Sequence, residues 1–375
     1  MPSLFRMLDL HEAVERERQH PGGRLFVSDY NGGHPFVADY LGPLAHTPPY
    51  LLGDVTRYSA IDEDRALRAK IARLHSAYDE VEYGPEQVIP AGGSSSLLGT
   101  FCTWLQLSGV RRVHYLPPVY YKFAYFFRKF GIEPVRVSEL HARQEGFAPE
   151  LPEERTVLLL TDPLWYAGQP VPAGVIERIG EWQRATGSLV FVDGTFQYLR
   201  WDGGRREESA ALPADLTVRL VCPTKYLSIH GYRCAHLLVP ERLREPLADL
   251  HVNLHGDVTV ADRLFAHRAA DLMLDGEGNR RLVEHIRANH RRLLRSGALR
   301  ARAPVDTGYF LFARVAAPAA RLLALDERHF ELTGHEGFVR INLLNEAALD
   351  GLTAPGGPAA PDELTAPGGP AAPAG

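Results

Sequence analysis

From about residue 50 to about 240 the chain alternates short apolar runs with amphipathic stretches, and this alternation restricts the fold more than any other feature. The runs 87–90, 113–116, 157–161, 189–192 and 217–222 read as strands, rich in Val, Leu and Ile. Between them, residues 66–78, 96–107, 120–130 and 175–185 carry the apolar spacing of helices. Strands with no polar face have to be covered on both sides. The expected fold class is therefore α/β, a mostly parallel sheet flanked by helices. Ligands of such sheets gather at the carboxyl ends of the strands.

The residues with chemical potential fall at those ends. Lys225 follows a Val/Leu-rich strand in Cys-Pro-Thr-Lys-Tyr-Leu-Ser-Ile-His-Gly-Tyr-Arg, with Arg233 eight residues on. An amine that attacks a carbonyl needs a site favouring its neutral form, and an arginine nearby holds an anion without losing its own charge. The pair suits an aldehyde bearing a phosphate. Gly93 and Ser94, in Ala-Gly-Gly-Ser-Ser-Ser after the first strand, put a close-approach backbone and unpaired N–H groups at a helix start, a place for phosphate oxygens. Tyr120 follows Pro117-Pro118 at the next strand-to-helix junction, where a tyrosine can stack on a heteroaromatic ring. Asp193 ends the apolar strand Leu-Val-Phe-Val, so its carboxylate needs a cation such as a protonated pyridine nitrogen. Arg340, on a short strand in Gly-Phe-Val-Arg-Ile-Asn, has the planar fork that grips a carboxylate.

Composition removes other classes. The 375 residues are 45% hydrophobic and 23% charged with a formal charge of −5, which gives no basic bias toward nucleic acid. No apolar run is long enough for a membrane span and the N-terminus lacks a signal-peptide pattern, so a cytoplasmic location is expected. Cys102, Cys222 and Cys234 are odd in number and scattered in apolar segments, as expected of reduced packing residues. His251 and His255 have helical i, i+4 spacing but lack a glutamate between them, so no metal is expected and this helix end is assigned to the substrate pocket. Residues 349–375 repeat Leu-Thr-Ala-Pro-Gly-Gly-Pro-Ala-Ala-Pro and are expected to be disordered.

In their order and spacing these segments resemble the aspartate aminotransferase superfamily, the fold-type I enzymes dependent on pyridoxal 5'-phosphate, nearest the class I/II aminotransferases. The resemblance covers about 50–345. It implies a large cofactor-binding domain over 50–240 and a small α+β domain built from 1–49 with 241–348. It implies that Lys225 binds the cofactor aldehyde and later shuttles the Cα proton, that Asp193 holds the pyridine nitrogen protonated, and that Tyr120 stacks on the ring. Gly93, Ser94, Thr224 and Arg233 would surround the phosphate, joined by Tyr58 from a neighbouring subunit, which implies a homodimer with shared sites. Arg340 would take the substrate carboxylate, with Asn31 and Gly32 lining the pocket.

Two positions depart from the family pattern. Trp165 stands where an asparagine usually donates to the cofactor's phenolic oxygen, and Phe196 stands where a tyrosine does. With both donors replaced, an imine on Lys225 is expected to hold its proton well above neutral pH. The expected activity is amino-group transfer from an amino acid. A related oxidase, cyclase or lyase is the alternative, and a non-catalytic cofactor-binding sensor the more distant one.

Overall fold

The computed structural model describes residues 3–30, 32–46, 64–276, 278–318 and 321–354. After a two-residue strand β1 (Leu25–Phe26), seven strands form one sheet: β2 (Val88–Ala91), β3 (Arg112–Tyr115), β4 (Glu133–Arg136), β5 (Val157–Thr161), β6 (Leu189–Asp193), β7 (Thr217–Val221) and β8 (Ala235–Leu238). Their order is β2-β8-β7-β6-β5-β3-β4. From β7 across to β4 all neighbours are parallel, while β8 runs antiparallel to both β7 and β2. The α/β expectation is met, and the strands end close to where the apolar runs end.

The apolar composition of the central strands has a simple cause. Every residue of β5, β6 and β7 is buried, and successive residues point to opposite faces. Leu158, Leu160, Val190 and Val192 enter one core, whereas Val157, Leu159, Leu189, Phe191, Val218 and Leu220 enter the other. Helices cover both faces. Two of them stop at glycines in the left-handed region, Tyr121–Phe130 at Gly131 and Ala173–Thr186 at Gly187.

A second, antiparallel sheet has the order β12 (Val339–Asn342), β10 (Phe310–Val315), β9 (Leu299–Arg302). Close to it, β1 pairs in parallel with β11 (Leu322–Leu323). The run Thr307-Gly308-Tyr309-Phe310-Leu311 also reads as a buried strand from sequence, but β10 begins only at Phe310. Thr307 and Gly308 instead turn over Gly168, whose carbonyl accepts from Asp306 and Thr307 at 2.8 and 3.0 Å. A Cβ on Gly168 would lie 2.2 Å from the Thr307 oxygen, so this approach requires glycine.

The expectation of disorder from residue 349 is corrected for its first residues. Glu346–Thr353 is a helix capped by the Asn345 side chain, with Leu349 and Leu352 buried, and residues 355–375 lie outside the described residues. All three cysteines are free and buried. Among the described residues no helix is long and apolar enough to cross a membrane.

Several histidines are buried in their neutral form. His141 bonds the Tyr166 hydroxyl and the Phe330 carbonyl, each at 3.1 Å, and burial pulls its pKa from 6.5 to about 3. Burial likewise pulls His11 to about 3. Below the unfolded-state value of 6.5 the unfolded chain binds more protons than the folded one. Stability is therefore full above that pH and lost as pH falls. Urea titrations from about pH 7.5 to 5 should show a falling unfolding free energy. His141→Gln should flatten the slope below pH 6.5 by roughly 1 kcal/mol per unit.

Candidate active site

One pocket at the carboxyl ends of β5, β6 and β7 is lined by Tyr30, Ser94, Tyr120, Trp165, Asp193, Thr195, Phe196 and Lys225. Lys225 projects from the four-residue turn Pro223–Tyr226, started by the helix-compatible proline just after β7. Burial depresses its pKa to about 8, and the charges of Arg340 and Arg233 act in the same direction. Its ammonium nitrogen sits 5.7 Å from the ring centre of Phe196. Near neutrality this amine loses its proton far more readily than a solvated lysine, as a nucleophile must.

Asp193 closes β6 with its carboxylate 4% exposed. One oxygen, Oδ1, accepts both the Thr195 N–H at 3.1 Å and the Thr195 hydroxyl. Burial nonetheless raises the pKa of the group, opposed by the Thr195 bonds and by Lys225. A buried acid facing a pocket under that penalty suits a cation brought by a ligand.

Gly93 and Arg233, expected from sequence to hold a phosphate, lie close together. Gly93 has φ +118° and opens the helix Ser94–Leu107. A Cβ there would lie 2.8 Å from the Arg233 guanidinium, which is seated against the helix start. Asp262 holds the Arg233 backbone N–H at 2.8 Å and is itself bonded to the Thr259 hydroxyl. Ser96 turns back to the Gly93 carbonyl at 2.8 Å, while Ser94 lines the pocket. Thr224 is buried on the turn that carries Lys225.

Sequence reasoning passed over a second cation. Lys122 donates to the Ser95 hydroxyl oxygen at 2.6 Å, and burial and the Arg233 charge both lower its pKa. Because the ammonium can only donate, the Ser95 proton is left free to point elsewhere. Lys122 lies in the first turn of the helix Tyr121–Phe130, two residues beyond Tyr120.

Tyr120 is half-buried and meets Trp165 edge-to-face, ring centres 6.5 Å apart. Trp165 is buried and its indole nitrogen has no hydrogen-bond partner. Arg340 is fully buried on β12; its Nη2 donates to the Ser28 carbonyl at 2.6 Å, while Nε and Nη1 have no partner. Gly32 packs tightly here, since a Cβ on it would lie 2.8 Å from Leu344 and from the Ser228 hydroxyl, and that hydroxyl donates to the Gly32 carbonyl. Asn31 and Tyr58 lie outside the described residues. Tyr30, adjacent to the Asn-Gly-Gly segment, lines the pocket and was not singled out from sequence. His251 does not line it. Its Nδ1 lies 2.9 Å from the Thr100 hydroxyl on the helix Ser94–Leu107, which corrects the expectation that this helix end shapes the pocket.

The pocket thus brings together a nucleophilic amine, a buried acid and the Ser94 helix start, and its wall residue Trp165 lies against the buried Arg340 guanidinium. The family model for aminotransferase class I and II matches residues 50–353. No curated protein sequence matches the chain. Solved structures share its fold at low identity. The N-succinyldiaminopimelate aminotransferase from Mycobacterium tuberculosis is 18% identical with a TM-score of 0.70, the match covering 92% of this chain and 95% of that one. A Thermus thermophilus aspartate aminotransferase double mutant is 16% identical with a TM-score of 0.72, covering 92% and 94%. YbdL from Escherichia coli, titled as having a methionine aminotransferase function, is 15% identical with a TM-score of 0.70, covering 94% and 96%. The chain belongs to the class I and II aminotransferase family, and it is an enzyme of the aminotransferase type.

Proposed function

We propose that this enzyme binds pyridoxal 5'-phosphate at Lys225 and moves an amino group from an amino acid to a keto acid. The observation that carries the proposal is the convergence of the Lys225 amine and the Asp193 carboxylate on one pocket with Tyr120 and Ser94. When bound, the cofactor supplies an aldehyde for the amine and a pyridinium ring that accepts electrons from the substrate's α-carbon. Each residue then has a separate task. Asp193 keeps a proton on a ring nitrogen, Tyr120 offers its ring face, and Arg233 with the Gly93–Ser95 helix start takes the phosphate. Lys225, once released, is the base that moves the Cα proton, suited to the role by a pKa of about 8. Arg340 presents its two unpartnered nitrogens to the substrate carboxylate. A homodimer in which Tyr58 reaches the partner's phosphate site completes the proposal, and sizing in solution tests that part.

Stoichiometric loss of a keto acid acceptor with formation of its amino acid, in purified protein given pyridoxal 5'-phosphate and a panel of amino donors, is the expected result. Ammonia release with oxygen uptake would instead mark an oxidase.

Lys122 gives a second test, because two cations match the charge of about −2 on a phosphate monoester. Lys122→Met should weaken pyridoxal 5'-phosphate binding about tenfold, as a charge-assisted contact warrants, and leave pyridoxal binding unchanged. Titration of the visible cofactor band with both ligands reads the difference.

A further inference from the structure

The environment of Arg340 explains a departure that the family pattern leaves unaccounted for. A guanidinium with no solvent exposure ordinarily needs an acid beside it. Here the bond to the Ser28 carbonyl is joined by four aromatic rings: Phe310, Tyr30, Trp165 and Phe330, with centres 4.1, 4.4, 5.0 and 6.0 Å from the guanidinium carbon. Indole offers the strongest attraction of these ring types. Trp165 meets Phe330 nearly perpendicular, at 5.3 Å and 77°, and Tyr120 at 89°. It therefore stands as a wall between Arg340 and Tyr120.

The geometry matters because of where a guanidinium keeps its donors. All five N–H bonds lie in its plane, so a ring that attracts the cation electrostatically uses none of them. An amide or carboxylate at position 165 that reached Arg340 would occupy one. Nε and Nη1 meet no partner at hydrogen-bond geometry, and the Tyr30 side chain, which also acts on the guanidinium, is a neutral phenol that an incoming acid can replace.

We propose that Trp165 is a positioning residue for the substrate carboxylate: its indole holds the Arg340 guanidinium charged and oriented, with the in-plane donors kept open for the incoming acid. This rests on the assignment of Arg340 to the substrate carboxylate. Position 165 then serves the substrate side of the pocket in this chain rather than the cofactor's phenolic oxygen.

The test uses the full chain loaded with pyridoxal 5'-phosphate. The twenty common L-amino acids are titrated against the visible band, and the one with the tightest response is compared with its decarboxylated amine. Trp165→Leu should weaken the amino acid about tenfold and the amine less than about twofold. Trp165→Phe, which retains a ring and so protects the fold, should weaken the amino acid about threefold and leave the amine unchanged. The pH titration of the resting band should be the same in wild type and Trp165→Phe. Equal weakening of amino acid and amine, or a displaced band titration with amino-acid affinity intact in Trp165→Phe, would overturn the proposal. A wild type that binds the amine as tightly as the amino acid would instead overturn the assignment of Arg340, and no visible band at all would overturn the cofactor assignment.

Discussion

Lys225→Ala should abolish turnover, a loss of about 10³-fold or more, because one substitution removes both the covalent anchor and the base for the Cα proton. The variant should still bind pyridoxal 5'-phosphate through the cradle and Asp193, but with the absorbance of the free aldehyde. In the wild type the reacting form is the neutral amine, whose pKa lies at about 8. The rate at which the apo protein develops its visible band should therefore rise with pH and level off above about 8. Stopped-flow absorbance against pH reads both the slope and the plateau. A pH-independent rate, or full activity in Lys225→Ala, would remove this lysine from the chemistry.

Asp193→Asn should separate stability from catalysis. The carboxylate is buried, opposed by the Thr195 bonds and Lys225, and its raised pKa records the cost. Removing that charge should leave the apo melting temperature unchanged or higher, as replacement of an unfavourably buried ion often does. Turnover should fall on the order of 10²–10³-fold, the scale at which one preorganised electrostatic contact acts on a transition state. The rise in melting temperature on adding pyridoxal 5'-phosphate should also shrink, because the carboxylate's partner in the complex is gone. Thermal unfolding with and without cofactor, set beside steady-state rates, gives all three readings. A variant less stable when empty yet normally active would make Asp193 a structural residue.

The parts of the site legible in sequence are those fixed by one strand and the turn after it. Asp193 ends an unbroken apolar run and Lys225 follows one interrupted only by Arg219, so each strand end could be placed to within a residue or two. Gly93 was legible only from its order among the other segments, because a glycine followed by serines at a strand-to-helix junction usually does no more than cap the helix. Tyr30 was missed because its place in the pocket comes from a segment more than a hundred residues from the central strands β5, β6 and β7, brought in by long-range packing. Lys122 was missed because a lysine beside aromatic residues gives no local sign that Ser95 lies opposite. The edge strand β4, Glu-Pro-Val-Arg, carries one apolar side chain at its centre and so no strand pattern at all. β8, Ala-His-Leu-Leu, is too short a run to signal its antiparallel return across the sheet. The helix Glu346–Thr353 was read as tail because its Leu349 and Leu352 merge into the Ala/Pro/Gly composition that follows.

The chain has only four lysines, which makes the central claim directly measurable. Lys70 is paired with Asp271, Lys122 is bonded to Ser95, and Lys129 lies over the exposed Tyr125 ring, while Lys225 alone faces the acid and the aromatic pocket. Protein loaded with pyridoxal 5'-phosphate, reduced with borohydride, digested and sequenced by mass spectrometry should carry the reduced adduct on Lys225. An adduct found on Lys70, Lys122 or Lys129 with Lys225 unmodified, or no adduct on any lysine, would contradict it.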